Sequence, residues 1–285
     1  MTTLTESKIS DIYSHLPSMF LTQENSKLKL EQTHTIFFKG KVKNIFLFRD
    51  LLTLLSDIVE SRFYKPEFKR FFDPVITCED DKLRMECFSS DTSIYCRVDL
   101  VKELFEEYSN IYRGTTNVNF NKNFLDSLAS LRNSSETFFE VGKENVVLEV
   151  NDKKVKEKKV KLPDRWIRGF LESQAIYRKA EKVFELKGLA SKKFLADCSL
   201  SMKDKEYFLV SKNSGIELLA NQPKNGVFIP VQGLSRLSIL KKIIPHVNGL
   251  TVYWVKETGA TLWLIKTDGG NISFALEEKS KKNKY

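Results

Sequence analysis

Apolar positions recur along this chain at two spacings, and each spacing predicts an element. Between residues 49 and 64, Leu51, Leu54 or Leu55, Ile58 and Phe63 follow the three-to-four-residue period of a helix face. Residues 37–38 and 42–48 before it read as a strand or extended entry. Over residues 74–100 the period drops to two. Leu83, Met85 and Cys87 line one face of a strand, and Ile94, Cys96, Val98 and Leu100 line one face of another. Ser89, Ser90, Asp91 and Thr92 supply turn chemistry between them, so the segment predicts a hairpin. Phe124, Leu125, Leu128 and Leu131 return to helical spacing, and residues 137–141 and 146–150 predict strands joined across Gly142-Lys143-Glu144-Asn145.

Pro163 stands where a first helical turn favours proline, and Trp166, Phe170, Gln174 and Tyr177 then share one face, which predicts a helix over residues 163–181. Beyond it the pattern predicts a strand at 183–187, a helix at 189–198, a hairpin across 206–220 and a short strand at 227–231. Leu234, Leu237, Leu240 or Lys241 and Ile244 predict another helix, with Ser235 as its N-cap. Strands follow at 250–255, 261–266 and 271–276, the last two joined at Asp268-Gly269, a strong hairpin signal. No repeat of fixed period occurs, which disfavours a solenoid or propeller. The predicted class is α+β, mixed, with mainly antiparallel sheets and several amphipathic helices. The predicted organisation is an N-terminal arm (1–35), an α+β domain (36–160), a second α+β domain (161–276) and a charged tail (277–285).

Composition narrows the class of protein. A chain of 285 residues with 41% hydrophobic content is long enough to bury a sizeable core. The first twenty residues mix Glu6, Lys8, Asp11 and His15 with isolated apolar positions, unlike a secretory signal, and the apolar runs 45–48 and 51–55 are too short to span a bilayer. Four cysteines without paired spacing fit a reducing compartment better than a disulfide framework. The expectation is a cytoplasmic chain with no membrane partner. A net charge of +9 permits attraction to nucleic acid, anionic lipid or an acidic partner without choosing among them.

The motifs of catalysis do not assemble. No glycine-rich loop is spaced to cradle phosphate. Gly233-Leu234-Ser235-Arg236-Leu237 lacks the second glycine of a nucleophile elbow, and Ser238 with Lys241 repeats a pairing also found at Ser26 and Lys29. Cys78, Cys87 and Cys96 lie nine residues apart on predicted strands, and His15, His34 and His246 are scattered, so a tetrahedral metal site is not predicted. The expectation is a protein that is not an enzyme and takes no cofactor and no metal.

Basic residues offer one candidate surface. Lys153, Lys154, Lys156, Lys158, Lys159 and Lys161 are concentrated, and Arg165 and Arg168 continue the patch. They read either as a phosphate-contacting, salt-dependent nucleic-acid surface or as a solvated edge whose lysines discourage strand aggregation. Two further candidates for partner binding are the loop Arg113, Gly114, Thr115, Thr116 and Asn117, and the helix start Asp164, Arg165, Trp166 and Arg168. For each, an internally satisfied structural role is the alternative.

Several blocks taken in order resemble a known family. Residues 37–41 (Phe-Phe-Lys-Gly-Lys), Asp73-Pro74-Val75-Ile76, Glu86-Cys87-Phe88-Ser89, Gly114-Thr115-Thr116-Asn117, the run 162–170 from Leu162 through Trp166 to Phe170, and Arg236-Leu237 are similar to the N-terminal, non-finger region of bacterial SWIM zinc-finger family proteins. The zinc module of that family, Cys-x-Cys followed by Cys-x-His, is absent, so zinc binding does not carry over. The resemblance leaves two alternatives, a stand-alone variant or the front part of a longer protein. It implies a protein-interaction or adaptor role, with a MoxR-type AAA+ ATPase or a von Willebrand A-domain protein as partner. Nucleic-acid binding through the lysine patch is the alternative function.

Overall fold

β1 (Ile36–Val42) leads through Lys43 and Asn44 into α1 (Ile45–Val59). Asn44 starts that helix: its side-chain oxygen accepts from the Leu47 amide at 3.1 Å and its carbonyl accepts from the Phe48 amide at 3.0 Å. The cap corrects the expected boundary, because residues 45–48 are helical instead of extended. Leu47, Phe48, Leu51, Leu52, Leu54, Leu55 and Ile58 are fully buried, so this helix is covered on more than one flank. A computed structural model gives this architecture, and it describes residues 36–59, 74–89, 93–160, 178–204, 206–219, 237–255 and 260–276.

The rest of the first half is strand-rich. β2 (Val75–Cys78), β3 (Lys82–Phe88) and β4 (Ile94–Val101) form an antiparallel meander in which Cys87 lies opposite Cys96, as the alternation predicts. A 3-10 turn (Lys102–Leu104) leads to β5 (Phe105–Asn110) and β6 (Gly114–Asn117). α2 (Lys122–Ala129) follows, then β7 (Thr137–Gly142), β8 (Asn145–Val150) and β9 (Lys153–Lys158). The strands β5 and β6 go beyond the sequence reading, whereas β9 is the solvated hairpin edge that is one of the two readings of the lysine run.

The second half runs through β10 (Glu181–Lys187), α3 (Leu189–Asp197), β11 (Ser199–Lys203), β12 (Glu206–Ser211) and β13 (Ile216–Leu219). A 3-10 helix (Ser238–His246) then precedes β14 (Val247–Val255), β15 (Ala260–Thr267) and β16 (Gly270–Leu276). That helix lies further toward the C-terminus than its leucines suggest, and Pro245 in its last turn has no amide to continue a helical ladder. The expected strand at 227–231, the cap Ser235 and residues 163–177 of the expected helix lie outside the described residues. Residues 178–180 form a turn and Glu181 opens β10, so the expected helix does not reach 181.

Three antiparallel sheets result. Their orders are β5-β1-β7-β8-β9, β10-β14-β15-β16-β4-β3-β2-β6 and β11-β12-β13. The eight-stranded sheet crosses from one half of the chain to the other where β16 pairs with β4, Phe274 opposite Cys96 and Ile272 opposite Val98. Among the described residues each half runs through a strand, a helix, a meander, a second helix and three closing strands, with β5 and β6 added before the second helix of the first half. One continuous core joins them, from Phe38, Phe48 and Phe139 to Phe194, Trp263 and Phe274. The mixed, antiparallel α+β class therefore holds, with strand as the dominant element.

Candidate protein-interaction edge

The lysine run forms β9, and its surroundings make it an open edge. The hairpin from β8 turns through Asn151 and Asp152, both left-handed with φ of 46° and 66°, the geometry of a two-residue turn matched to strand twist. β9 then pairs with β8 from Val150 opposite Lys153 to Asn145 opposite Lys158. Among the described residues, no strand pairs along its other side. Only past its end does the far side close: Lys159 bridges Val118, and the Val160 amide donates to the Asn117 carbonyl at 3.0 Å.

Which groups face outward follows from the ladder. The Lys159 amide donates back to the Glu144 carbonyl in the loop before β8, whereas Val160 points away. Antiparallel pairing alternates these directions residue by residue. Lys154, Lys156 and Lys158 therefore aim their amides and carbonyls at the open side, and Val155 and Glu157 bond to β8. The side chains alternate too. Lys154, Lys156 and Lys158 are exposed on one face, while Val155 is half-buried and Glu157 is 5% exposed on the other.

Glu157 is the unusual group on this strand. Asn121, which caps α2 by accepting from the Phe124 amide at 3.1 Å, donates from Nδ2 to Glu157 Oε2 at 2.8 Å. Glu157 Oε1 is buried and has no hydrogen-bond partner among the described residues. Desolvation holds the carboxyl above the usual glutamate range. A cleft of about 540 Å³ runs beside it, walled by Asn121, Asn123, Asp126 and Ser127 on the α2 side and by residues 154–157 of β9. Four consecutive strand residues can line one cleft only if it follows the strand's edge.

The other sequence candidates fall elsewhere. Gly114, Thr115, Thr116 and Asn117 form the buried strand β6 at the far edge of the eight-stranded sheet, paired with β2, and not a loop. Gly114 is required there, because a Cβ would sit 2.4 Å from the Phe37 ring. Arg113 alone of that group is exposed, in an ion pair with Asp80. Lys153 begins β9, and Lys159 sits at the bridge just past its end. Lys161, Asp164, Arg165, Trp166 and Arg168 lie outside the described residues. The reading of the sequence missed Glu157 and Asn121 as site residues; the signal available was a single acid among alternating lysines, two residues after Val155 and so on the same face of the strand.

Nucleophilic chemistry is disfavoured at the thiols. Burial pushes Cys78, Cys87 and Cys96 well above the ordinary thiol range and Cys198 up to about 11, which keeps them protonated at neutral pH. Charged side chains on β3 and β4 pair with one another and with Glu79 in the turn before β3. Arg84 reaches Glu79 at 2.9 Å, Arg97 holds Asp99 at 2.7 Å, and the Tyr95 hydroxyl donates to Glu86 at 2.6 Å. No group of three or more metal-ligating side chains occurs among the described residues. No described helix is long and apolar enough to cross a membrane.

No protein-family model matches the chain, and no curated protein matches it. Solved structures do. Proliferating cellular nuclear antigen from Entamoeba histolytica aligns with a TM-score of 0.52 at 13% identity, covering 86% of this chain and 100% of that one. The PCNA2-PCNA3 complex from Sulfolobus tokodaii aligns with a TM-score of 0.55 at 10% identity, covering 85% of this chain and 99% of that one. At such identities the likeness is one of fold, and this chain has the fold of those antigens over most of its length.

Proposed function

We propose that this chain is a non-catalytic protein-interaction scaffold that accepts partner strands at its open sheet edges. The observation that carries the reading is the joint inside the chain. In the eight-stranded sheet, β16, the last strand of one half, is zipped to β4, the last strand of the other half's meander. The equivalent strands left over are β9 and β13. Each ends a sheet, with no partner along its second side among the described residues. An edge of this kind binds by adding a strand, with main-chain hydrogen bonds giving affinity and alternate side chains giving specificity.

The structural neighbours support this reading, since they are sliding-clamp proteins and one of them is named as a complex of two such chains. The similarity to SWIM-family N-terminal regions supports a finer version, an adaptor for a MoxR-type AAA+ ATPase or a von Willebrand A-domain protein in the cytoplasm. The test is affinity purification from the native host with two baits, the wild-type chain and Lys156→Pro. The substitution removes an outward amide and leaves the β8 ladder intact. Partners recovered by the wild type and lost with the variant support the scaffold. The same set recovered by both baits, or none by either, contradicts it.

A second reading rests on the exposed face shared by Lys154, Lys156 and Lys158, which offers cations to phosphate. Binding to a random duplex that weakens steeply with salt and falls on replacing these three lysines with glutamine supports it. No binding at low salt removes it.

A further inference from the structure

We infer that Glu157 is a proton-operated latch between β9 and α2: the neutral carboxyl closes this corner of the fold, and its ionisation loosens it. The latch is a property of the free chain and goes beyond the scaffold reading, so either can fail alone.

The position belongs to the core by the logic of the fold. β8 and β9 close at Val150 opposite Lys153, and β15 and β16 close at Thr267 opposite Gly270, so Glu157 and Phe274 are the same residue counted from their turns. Phe274 is fully buried. Glu157 is buried as well, at 5% exposure, with Val146 opposite it on β8. A carboxyl thus stands where the other half of the chain places a phenyl ring.

Its hydrogen bonds suit a neutral group better than an anion. An ionised carboxylate has about four acceptor sites to fill. Glu157 takes one bond, on Oε2, from Asn121 Nδ2 at 2.8 Å, and Oε1 is buried with no partner among the described residues. Protonation of Oε1 removes the charge and leaves the Asn121 bond in place. The same Asn121 amide group caps α2 by accepting from the Phe124 amide at 3.1 Å, so one side chain ties the carboxyl to the start of the helix.

The charges around it do not offset the anion. α2 brings Lys122 and Asp126, both exposed, and Asp126 lines the same cleft. β8 presents Val146 and Leu148 on the Glu157 face, while its acid Glu149 pairs with Lys154 at 3.3 Å on the other. Glu144 is exposed in the turn before β8. On β9 itself Lys154, Lys156 and Lys158 face away, and Lys153 and Lys159 stand at the two ends of the Glu157 face. Among the described residues none of these cations forms an ion pair with Glu157, and desolvation raises its carboxyl above the ordinary range.

A folded value above the unfolded one fixes the direction. The stability that the neutral carboxyl contributes is fully present below about pH 4.3, the unfolded value, and is lost as the pH rises through the folded one. Above it the anion gains water when α2 parts from β9, along the cleft of about 540 Å³ that already runs between them. Acid closes the latch and alkali loosens it.

The test is amide hydrogen exchange of the full chain by NMR from pH 4 to pH 8, with the wild type and Glu157→Gln, a neutral isostere, measured side by side. The ratio of their rates at the Leu128 and Val155 amides cancels the intrinsic pH dependence of exchange. That ratio should rise about fivefold or more across the range, the wild type becoming the faster. Asn121→Asp keeps a capping oxygen for α2 but sets a second carboxylate against Glu157, and it should widen the rise; adding Glu157→Gln should take the widening away. A ratio that stays flat or falls with pH overturns the inference, and so does an Asn121→Asp profile that Glu157→Gln leaves unchanged. Neither result touches the scaffold reading, which the two-bait purification decides.

Discussion

Asp50 on α1 and His246 at the end of the 3-10 helix meet at 2.9 Å, and this contact ties the first half of the chain to the second. Asp50 also takes a hydrogen bond from Arg49 at 2.8 Å, and two turns further along the helix Asp57 pairs with Lys242 at 2.8 Å. The two helices of different halves thus share a seam of opposite charge above the common core.

The seam predicts a defined pH dependence. Burial works to raise the Asp50 carboxyl, but the bonds from His246 and Arg49 outweigh it and hold it below the usual aspartate range. A folded value below the unfolded one adds stability that is fully present above about pH 4 and is lost as the pH falls through the depressed folded value. Asp50→Asn should therefore cost about 1–3 kcal/mol at pH 7 and much less at pH 2–3. Urea unfolding at both pH values checks this, and a cost that does not change with pH contradicts it.

Gly114 predicts a steric effect. Alanine there would place its Cβ 2.4 Å from the Phe37 ring, in a buried position paired to β2. Gly114→Ala should destabilise by about 1–3 kcal/mol through overpacking. Adding Phe37→Leu should recover part of the loss, so the two changes are non-additive in a double-mutant cycle. Strict additivity would mean that the ring is not what the methyl meets.

The thiols predict slow chemistry. Cys78, Cys87 and Cys96 are buried and Cys198 is partly so, and burial keeps all four protonated. With Ellman's reagent at pH 8, the native chain should label Cys198 slowly and the other three only as fast as the fold opens. Four rapid equivalents in the absence of denaturant would contradict the placement of these strands.

Much of the fold was legible where local pattern and tertiary role agree. The leucines of α1 kept helical spacing, the alternation through Cys87 and Cys96 marked β3 and β4, and Asp268-Gly269 marked the turn before β16. Legibility failed where local chemistry and role diverge. Gly114 and Asn117 are turn residues by propensity, yet they lie in β6 because the glycine makes room for Phe37. β9 was legible only as one of two readings of the lysine run, because only Val155 and Glu157 turn inward among its lysines. The likeness of the two halves was invisible because equivalent positions such as Glu157 and Phe274 share a place and not a chemistry. Pairing of β16 with β4 is a contact between residues far apart in the chain, and no local period announces it.

An open edge at β9 is the claim on which the functional account rests, and amide hydrogen exchange of the free chain, read residue by residue by NMR, measures it. Lys154, Lys156 and Lys158 should exchange fast, while Val155, Glu157 and Lys159, bonded toward β8, should be protected by a factor of about ten or more. Equal, strong protection of all six amides would mean that the far side of β9 is already occupied, and the account would fail.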